Sequence, residues 1–146
     1  MKYYFAYGSN LSLRQMNQRC PRSRLMGSGF ISDYSLEFKT AFGNNAYATL
    51  EEKQGAQVPI AIYEIQTEDE QSLDRYEGVA GGHYYKAILT AQFNGEQING
   101  LVYLIRKQAT HKVPHPDYIA IIREGYATHN FDFKIVNDAY DRASGE

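Results

Sequence analysis

The 146-residue sequence predicts an α+β domain, with a mixed, largely antiparallel sheet curled into a small barrel and a few short flanking helices. Three observations predict it. Six runs suit strands, and most of them follow one another at hairpin distance. Only three segments suit helices. Strands and helices do not alternate strictly, as a doubly wound nucleotide-binding fold would require.

The elements follow in chain order. Lys2–Tyr7 is an aromatic-rich strand, broken by Gly8. Ser12 to Cys20 opens on a Ser cap and stops before Pro21, which suits a short helix. Gly29–Thr40, Ala46–Glu51 and Val58–Gln66 are the next strands; IAIYEI (Ile60–Ile65) is apolar enough to be buried on both faces. Thr67 to Tyr76 opens TEDEQ, in which Thr67 and Glu70 have capping-box spacing. Tyr84–Phe93 and Gln97–Ile105 flank NGEQ, an Asn-Gly hairpin signal. Pro116 to about Tyr126 starts a helix with proline where its missing N–H does no harm. The tail after Ile135 is polar and reads as peripheral and loosely held. No repeat or linker divides the chain, so 1–146 is expected to be one domain.

Composition narrows the function. Apolar residues make up 43% of the chain, which excludes a disordered protein, and no run reaches the roughly 18 apolar residues of a spanning helix. MKYYFAYGSN has no apolar leader region, so no signal peptide is expected. A lone Cys20 leaves no internal disulfide and fits a reducing compartment; a cytoplasmic location is expected. The net charge of −2 argues against nucleic-acid binding. The one basic cluster, Arg14, Arg19, Arg22 and Arg24, reads as a solvated helix face and loop. Thirteen tyrosines without a tryptophan can line a polar pocket or simply suit strands, and composition does not choose.

Two stretches can carry chemistry. In YGSNL (Tyr7–Leu11) a strand ends, glycine turns the chain, and a helix begins within about four residues. Such joints leave backbone N–H groups pointing together at a helix start, a nest sized for one carboxylate. It matches neither phosphate-loop spacing, and read alone it is equally a capped turn. In LDRYEGVAGGHYYK (Leu73–Lys86), Gly78 suits a helix stop, which puts Glu77 at a helix C-terminus. There the dipole, and burial if present, would disfavour its charge and raise its pKa toward neutrality. Read alone, it fits a solvated glutamate better. His111 and His115 are separated by Pro114, so no metal site is expected. Cys20 reads as a packing residue, and Ser9 lacks the elbow and partners of a nucleophile.

Together, AYGSNL and LDRYEGVAGGHY resemble the γ-glutamylcyclotransferase-like (AIG2-like) family. YATL (Tyr47–Leu50), YLI (Tyr103–Ile105) and PHPDY ending at Tyr118 extend the similarity over about residues 2 to 130. The resemblance implies a small mixed barrel and an enzyme that cleaves γ-glutamyl amides without water, releasing 5-oxoproline and an amine. It places the catalytic glutamate at Glu77 and the pocket loop at Tyr7, Gly8, Ser9, Asn10 and Leu11, with Tyr84, Tyr103 and Tyr118 near the pocket. It implies a small-molecule γ-glutamyl substrate and no cofactor, metal, nucleic-acid or membrane partner. The alternative is a non-catalytic module that binds a carboxylate metabolite in the same pocket. Residues 106–117 (RKQATHKVPHPD) are expected to shape the leaving-group side. No motif gives the oligomeric state.

Overall fold

The computed structural model describes residues 2–145. β1 (Lys2–Ala6) lies at the centre, antiparallel to β3 (Tyr47–Ile65) and parallel to β5 (Glu96–Leu104). β5 pairs with β4 (Tyr85–Phe93), β4 with β2 (Arg24–Thr40), and β2 with β3 again, which closes a five-stranded mixed barrel. A two-residue β6 (Thr110–His111) adds to the far end of β2. The expected barrel is present, and β1–β5 is the one parallel pairing among the described residues. Because these two strands run in the same direction, Tyr7 and Tyr103 emerge at the same end of the barrel. That end is where the site forms.

The closure depends on close backbone approaches. A Cβ on Gly100 would lie 2.5 Å from the Phe5 ring, so glycine is what lets the fully buried Phe5 fill the interior beside β5. The β4–β5 turn uses Asn94 and Gly95 with φ of 51° and 80°, the left-handed pair expected from NGEQ.

Three expectations change. β2 starts at Arg24 rather than Gly29, and the two strands expected at 46–51 and 58–66 are one, β3. The sequence between them, EKQGAQ, looks like a loop because it is polar and contains Gly55. In the structure 53–56 form a wide bulge opposite Asp33, whose carboxylate accepts the Gly55 N–H at 2.9 Å, and pairing resumes on either side. The helix α2 (Thr67–Tyr76) is capped one residue earlier than expected: the buried Asp69, not Glu70, accepts the Gln66 backbone N–H at 2.9 Å.

The third change is the tail. Instead of loose chain, residues 133–144 form α4 (Phe133–Ser144), with Asp132 as its cap. Val136 and Ala139 recur at helical spacing and are fully buried. Arg142 then reaches β2, donating to the Leu36 carbonyl at 2.7 Å and to the buried Glu37 carboxylate at 3.1 Å. The tail's polar composition belongs to the outer face of a packed helix.

Two further helices frame the YGSNL joint. α1 (Leu13–Arg19) follows a short 3₁₀ turn at Ser9–Leu11, with the Ser12 hydroxyl capping it through Gln15 N–H. α3 (Pro116–Thr128) crosses that turn so closely that a Cβ on Gly125 would lie 2.4 Å from Leu11 Cβ. The Ser12 hydroxyl also donates to Glu124 of α3 at 2.6 Å. No described helix is long and apolar enough to cross a membrane.

Candidate active site

At the barrel end where β1 and β5 finish, a cavity of about 280 Å³ opens between the 8–10 turn, the start of α1, the end of α2 and β3. Of the residues expected at the site, Tyr7, Gly8, Ser9, Asn10, Glu77, Tyr84, Tyr103 and Tyr118 all line it. Leu11 does not. Its side chain points the other way, fully buried against Gly125 of α3, so it holds the turn in place from behind.

Glu77 is placed by the way α2 stops. Gly78 adopts φ +65°, and the carbonyls of Asp74 and Arg75 accept the N–H groups of Val79 (3.0 Å) and Gly78 (3.2 Å). This Schellman stop ends the helix at Glu77 and turns its side chain inward. Asp74, three residues earlier, faces elsewhere, accepting from the Tyr103 hydroxyl at 2.6 Å and from Lys86 at 3.1 Å. One side chain of the pair therefore enters the cavity. The Glu77 side chain is only 16% exposed. Burial raises its pKa to about 7, against a smaller opposing pull from the Arg19 guanidinium. A carboxyl group poised near neutrality can take and return a proton.

The YGSN turn forms another part of the wall. Gly8 allows it: a Cβ there would meet Ala48 Cβ at 3.1 Å and approach the Tyr118 hydroxyl. The turn's own bonds use the Leu11 and Ser12 amides, which donate to the Gly8 and Ser9 carbonyls. Among the described residues no carbonyl takes the Gly8, Ser9 or Asn10 amides. The side chains are locked from below: Gln15 Nε2 donates to Ser9 Oγ at 2.6 Å and to Asn10 Oδ1 at 3.1 Å, and Asn10 Nδ2 donates to the Tyr4 hydroxyl at 3.0 Å. With its hydroxyl engaged by Gln15, Ser9 has no base beside it.

Tyrosine hydroxyls complete the floor. Ala48 of β3 collects two of them: its carbonyl accepts from Tyr84 at 2.6 Å and its N–H donates to Tyr118 at 3.0 Å, while the Tyr7 hydroxyl donates to the Tyr103 carbonyl at 2.5 Å, with the Ala48 carbonyl a longer 3.2 Å away. Burial first, and then the nearby carboxyl and phenol groups, push Tyr7 and Tyr84 well above the ordinary phenol range. They are therefore hydrogen-bond donors, not bases, at neutral pH.

Sequence reading missed Tyr4, Gln15, Arg19, Tyr47, Tyr76 and His83, which also line the cavity. Gln15 and Arg19 are four apart on α1, a spacing that puts both on one helix face. Arg19 was assigned to a solvated patch because its neighbours Arg14, Arg22 and Arg24 are basic. In fact its guanidinium lies 4.5 Å from the Tyr76 ring centre, donates to Asn10 Oδ1 at 3.1 Å and sits 3.9 Å from Glu77 Oε1. His83 packs edge-on between Phe42 and Tyr47, an aromatic rim that no linear motif marks. Residues 106–117 line no part of the cavity. They brace its edge from outside, Arg106 donating to the Ala41 carbonyl and Lys112 to that of Asn44.

The remaining candidates resolve as structure. Cys20 is buried, and burial pushes its thiol up to about 12, so it stays protonated. His115 caps α3, accepting the Asp117 N–H at 3.1 Å, while His111 meets Glu37 at 3.2 Å. No cluster of three metal-ligating side chains occurs among the described residues.

Similar proteins are known. Gamma-glutamylcyclotransferase of Homo sapiens is 29% identical over 129 residues, covering 84% of this chain and 68% of that protein. The crystal structure of an uncharacterized Homo sapiens protein matches with a TM-score of 0.85 at 25% identity, over 94% of this chain and 85% of that one. A solved gamma-glutamyl cyclotransferase shares the fold with a TM-score of 0.83 at 24% identity, over the same shares of the two chains. The model of the gamma-glutamyl cyclotransferase, AIG2-like family matches residues 4–120, most of the chain, and the chain belongs to that family.

Proposed function

We propose that this chain is a γ-glutamyl cyclotransferase-type enzyme that converts a γ-glutamyl amide into 5-oxoproline and a free amine, with Glu77 as general base and acid. The observation that carries the reading is a carboxyl group buried in the cavity wall, poised near pH 7, in a cavity also lined by a turn with unused backbone N–H groups. A pure carboxylate binder would gain nothing from Glu77 there, since an anion would be repelled.

The steps balance without water. The substrate α-ammonium, with a pKa of about 8, first gives a proton to ionised Glu77. The freed amine attacks its own γ-carbonyl carbon; a C–N bond forms, closing a five-membered ring, and the carbonyl oxygen gains negative charge. The bond to the leaving nitrogen then breaks as that nitrogen is protonated. Over the cycle two protons leave the α-nitrogen and two arrive on the departing amine, and Glu77 carries them and ends ionised. The Gly8–Asn10 amides, which no carbonyl takes, and the Tyr118 hydroxyl, which accepts from Ala48 N–H and so keeps its own proton, are the donors available to substrate oxygens. Confinement in a cavity of about 280 Å³ favours the folded, ring-closing conformer. Good positioning of this kind can supply part of the roughly 7–11 kcal/mol available to oriented reactions.

The test is a panel of γ-glutamyl dipeptides and γ-glutamyl amines, with 5-oxoproline and glutamate separated by chromatography. Release of 5-oxoproline from at least one substrate is the expected result. Glutamate instead would mean hydrolysis. Binding without any turnover would favour the non-catalytic alternative.

A further inference from the structure

Arg19 supplies the one arginine or lysine side chain on the cavity wall among the described residues. Its backbone is fixed, because the Ser72 hydroxyl of α2 donates to the Arg19 carbonyl at 2.6 Å and ties α1 to α2. Its guanidinium is fixed too, between the Tyr76 face and Asn10 Oδ1. The side chain is 21% exposed, yet of five N–H donors only the one to Asn10 has a hydrogen-bonded acceptor in the chain. The Glu77 carboxylate, at 3.9 Å, is too far for a hydrogen bond. A half-buried guanidinium with unused donors aimed along a cavity wall is a site for a planar anion.

Its neighbour specifies which anion. Arg19 and Glu77 stand side by side at 3.9 Å, a cation and an ionisable carboxyl with no hydrogen bond between them. The α-carbon of an amino acid carries the complementary pair, a carboxylate and an ammonium on one atom. We infer that Arg19 recognises the α-carboxylate of the γ-glutamyl group, so that its α-amine is delivered to Glu77 and the enzyme requires a free amino-acid head. This rests on the cyclotransferase reading. It leaves the Gly8–Asn10 amides for the γ-carbonyl oxygen, where charge develops, and so divides the two oxygen sites between side chain and backbone.

Two measurements test it. The first compares kcat/KM for a γ-glutamyl amide and for the matching 4-aminobutanoyl amide, which lacks only the α-carboxylate and closes to 2-pyrrolidinone. The wild type is expected to prefer the γ-glutamyl substrate at least about 100-fold, and Arg19→Gln to reduce that ratio to within about tenfold, the scale of one charge-assisted pair. Arg19→Lys, which keeps the charge and loses the fork, is expected to fall between. Equal losses on both substrates in Arg19→Gln would mean that Arg19 only positions Glu77, and would overturn the inference. The second measurement needs no turnover. Calorimetric titration is expected to show the wild type binding 5-oxoproline at least about tenfold more tightly than 2-pyrrolidinone, and Arg19→Gln binding them alike. If the wild type fails to discriminate between these lactams, the inference is wrong even where cyclisation is found. If it discriminates but turns nothing over, carboxylate recognition by Arg19 stands and the cyclotransferase reading fails.

Discussion

Glu77 costs the fold stability in order to be useful. Its carboxyl pKa is raised from 4.5 to about 7, and burial is the cause. A raised carboxylate pKa means that between pH 4.5 and 7 the native state holds a proton the unfolded chain has lost, so stability falls as pH rises through that window. The full difference is on the order of 3 kcal/mol and applies above pH 7. Glu77→Gln removes the ionisation, so it is expected to be more stable than wild type at pH 8 and indistinguishable at pH 4, as read by denaturant melts at both values. A variant destabilised at pH 8 would mean that the ionised carboxylate is held by contacts worth more than its desolvation. Activity has the opposite sign, because the base must be ionised to begin, and kcat/KM is expected to rise with pH through about 7. Its place at a helix end was legible in the sequence from Gly78, but its place in a pocket followed only from the family resemblance that EG and YGSN carry together, because taken alone EG fits a solvated glutamate better. Arg19, in contrast, was hidden among basic neighbours, and what separates it from Arg14 is contact with Tyr76 and Asn10, residues distant in sequence or across a turn.

At the scale of elements, the site depends on how α2 ends, and stability on how α4 packs. Gly78 stops α2 with φ +65°, and a Cβ there would also meet His83 Cβ at 3.0 Å. Gly78→Ala is therefore expected to cost about 1–2 kcal/mol and to lower activity by misdirecting Glu77, whereas Ala at the open, exposed Gly43, also left-handed with φ +81°, should carry a similar backbone cost and leave the rate unchanged. Both can be read from one thermal melt and one rate assay. α4 matters for stability alone. Although burial opposes it, hydrogen bonds from Ser35, Arg142 and His111 with the Arg142 charge hold the Glu37 carboxyl below its usual range. That stabilisation is complete above pH 4.5 and is lost as pH falls further. Arg142→Ala leaves a buried carboxylate short of a partner; it is expected to cost about 2–4 kcal/mol at pH 7 and progressively less in acid. An unchanged melting temperature at pH 7 would show that Ser35 and His111 suffice. The helix itself was legible in the spacing of Val136, Ala139 and Ala143, but the polar composition of the tail obscured it. The continuity of β3 was not legible, because EKQGAQ has the composition of a loop, and its continuity rests on pairing that resumes on both sides of a bulge tied to Asp33, which is distant in sequence.

Across the whole molecule, the cavity exists because the barrel closes and brings residues 7, 48, 77, 103 and 118 to one rim. The barrel class could be read from strand spacing and the hairpin at Asn94-Gly95; the parallel β1–β5 pairing that sets the rim could not, since parallel neighbours leave no turn signal between them. Closure passes through Gly29, where a Cβ would lie 2.2 Å from the Gln92 carbonyl oxygen at the β2–β4 seam. Gly29→Ala is expected to force the seam apart, costing about 1–3 kcal/mol and several degrees in Tm, with β4–β5 amides losing hydrogen-exchange protection first. The central claim concerns chemistry at the rim, and one number tests it most directly: kcat/KM of Glu77→Gln against wild type on the best γ-glutamyl substrate, at pH 8, followed by 5-oxoproline release. General acid–base catalysis contributes about 10²–10⁴-fold, so the variant is expected to fall by at least 100-fold while remaining folded. A folded Glu77→Gln enzyme within threefold of wild type would contradict it.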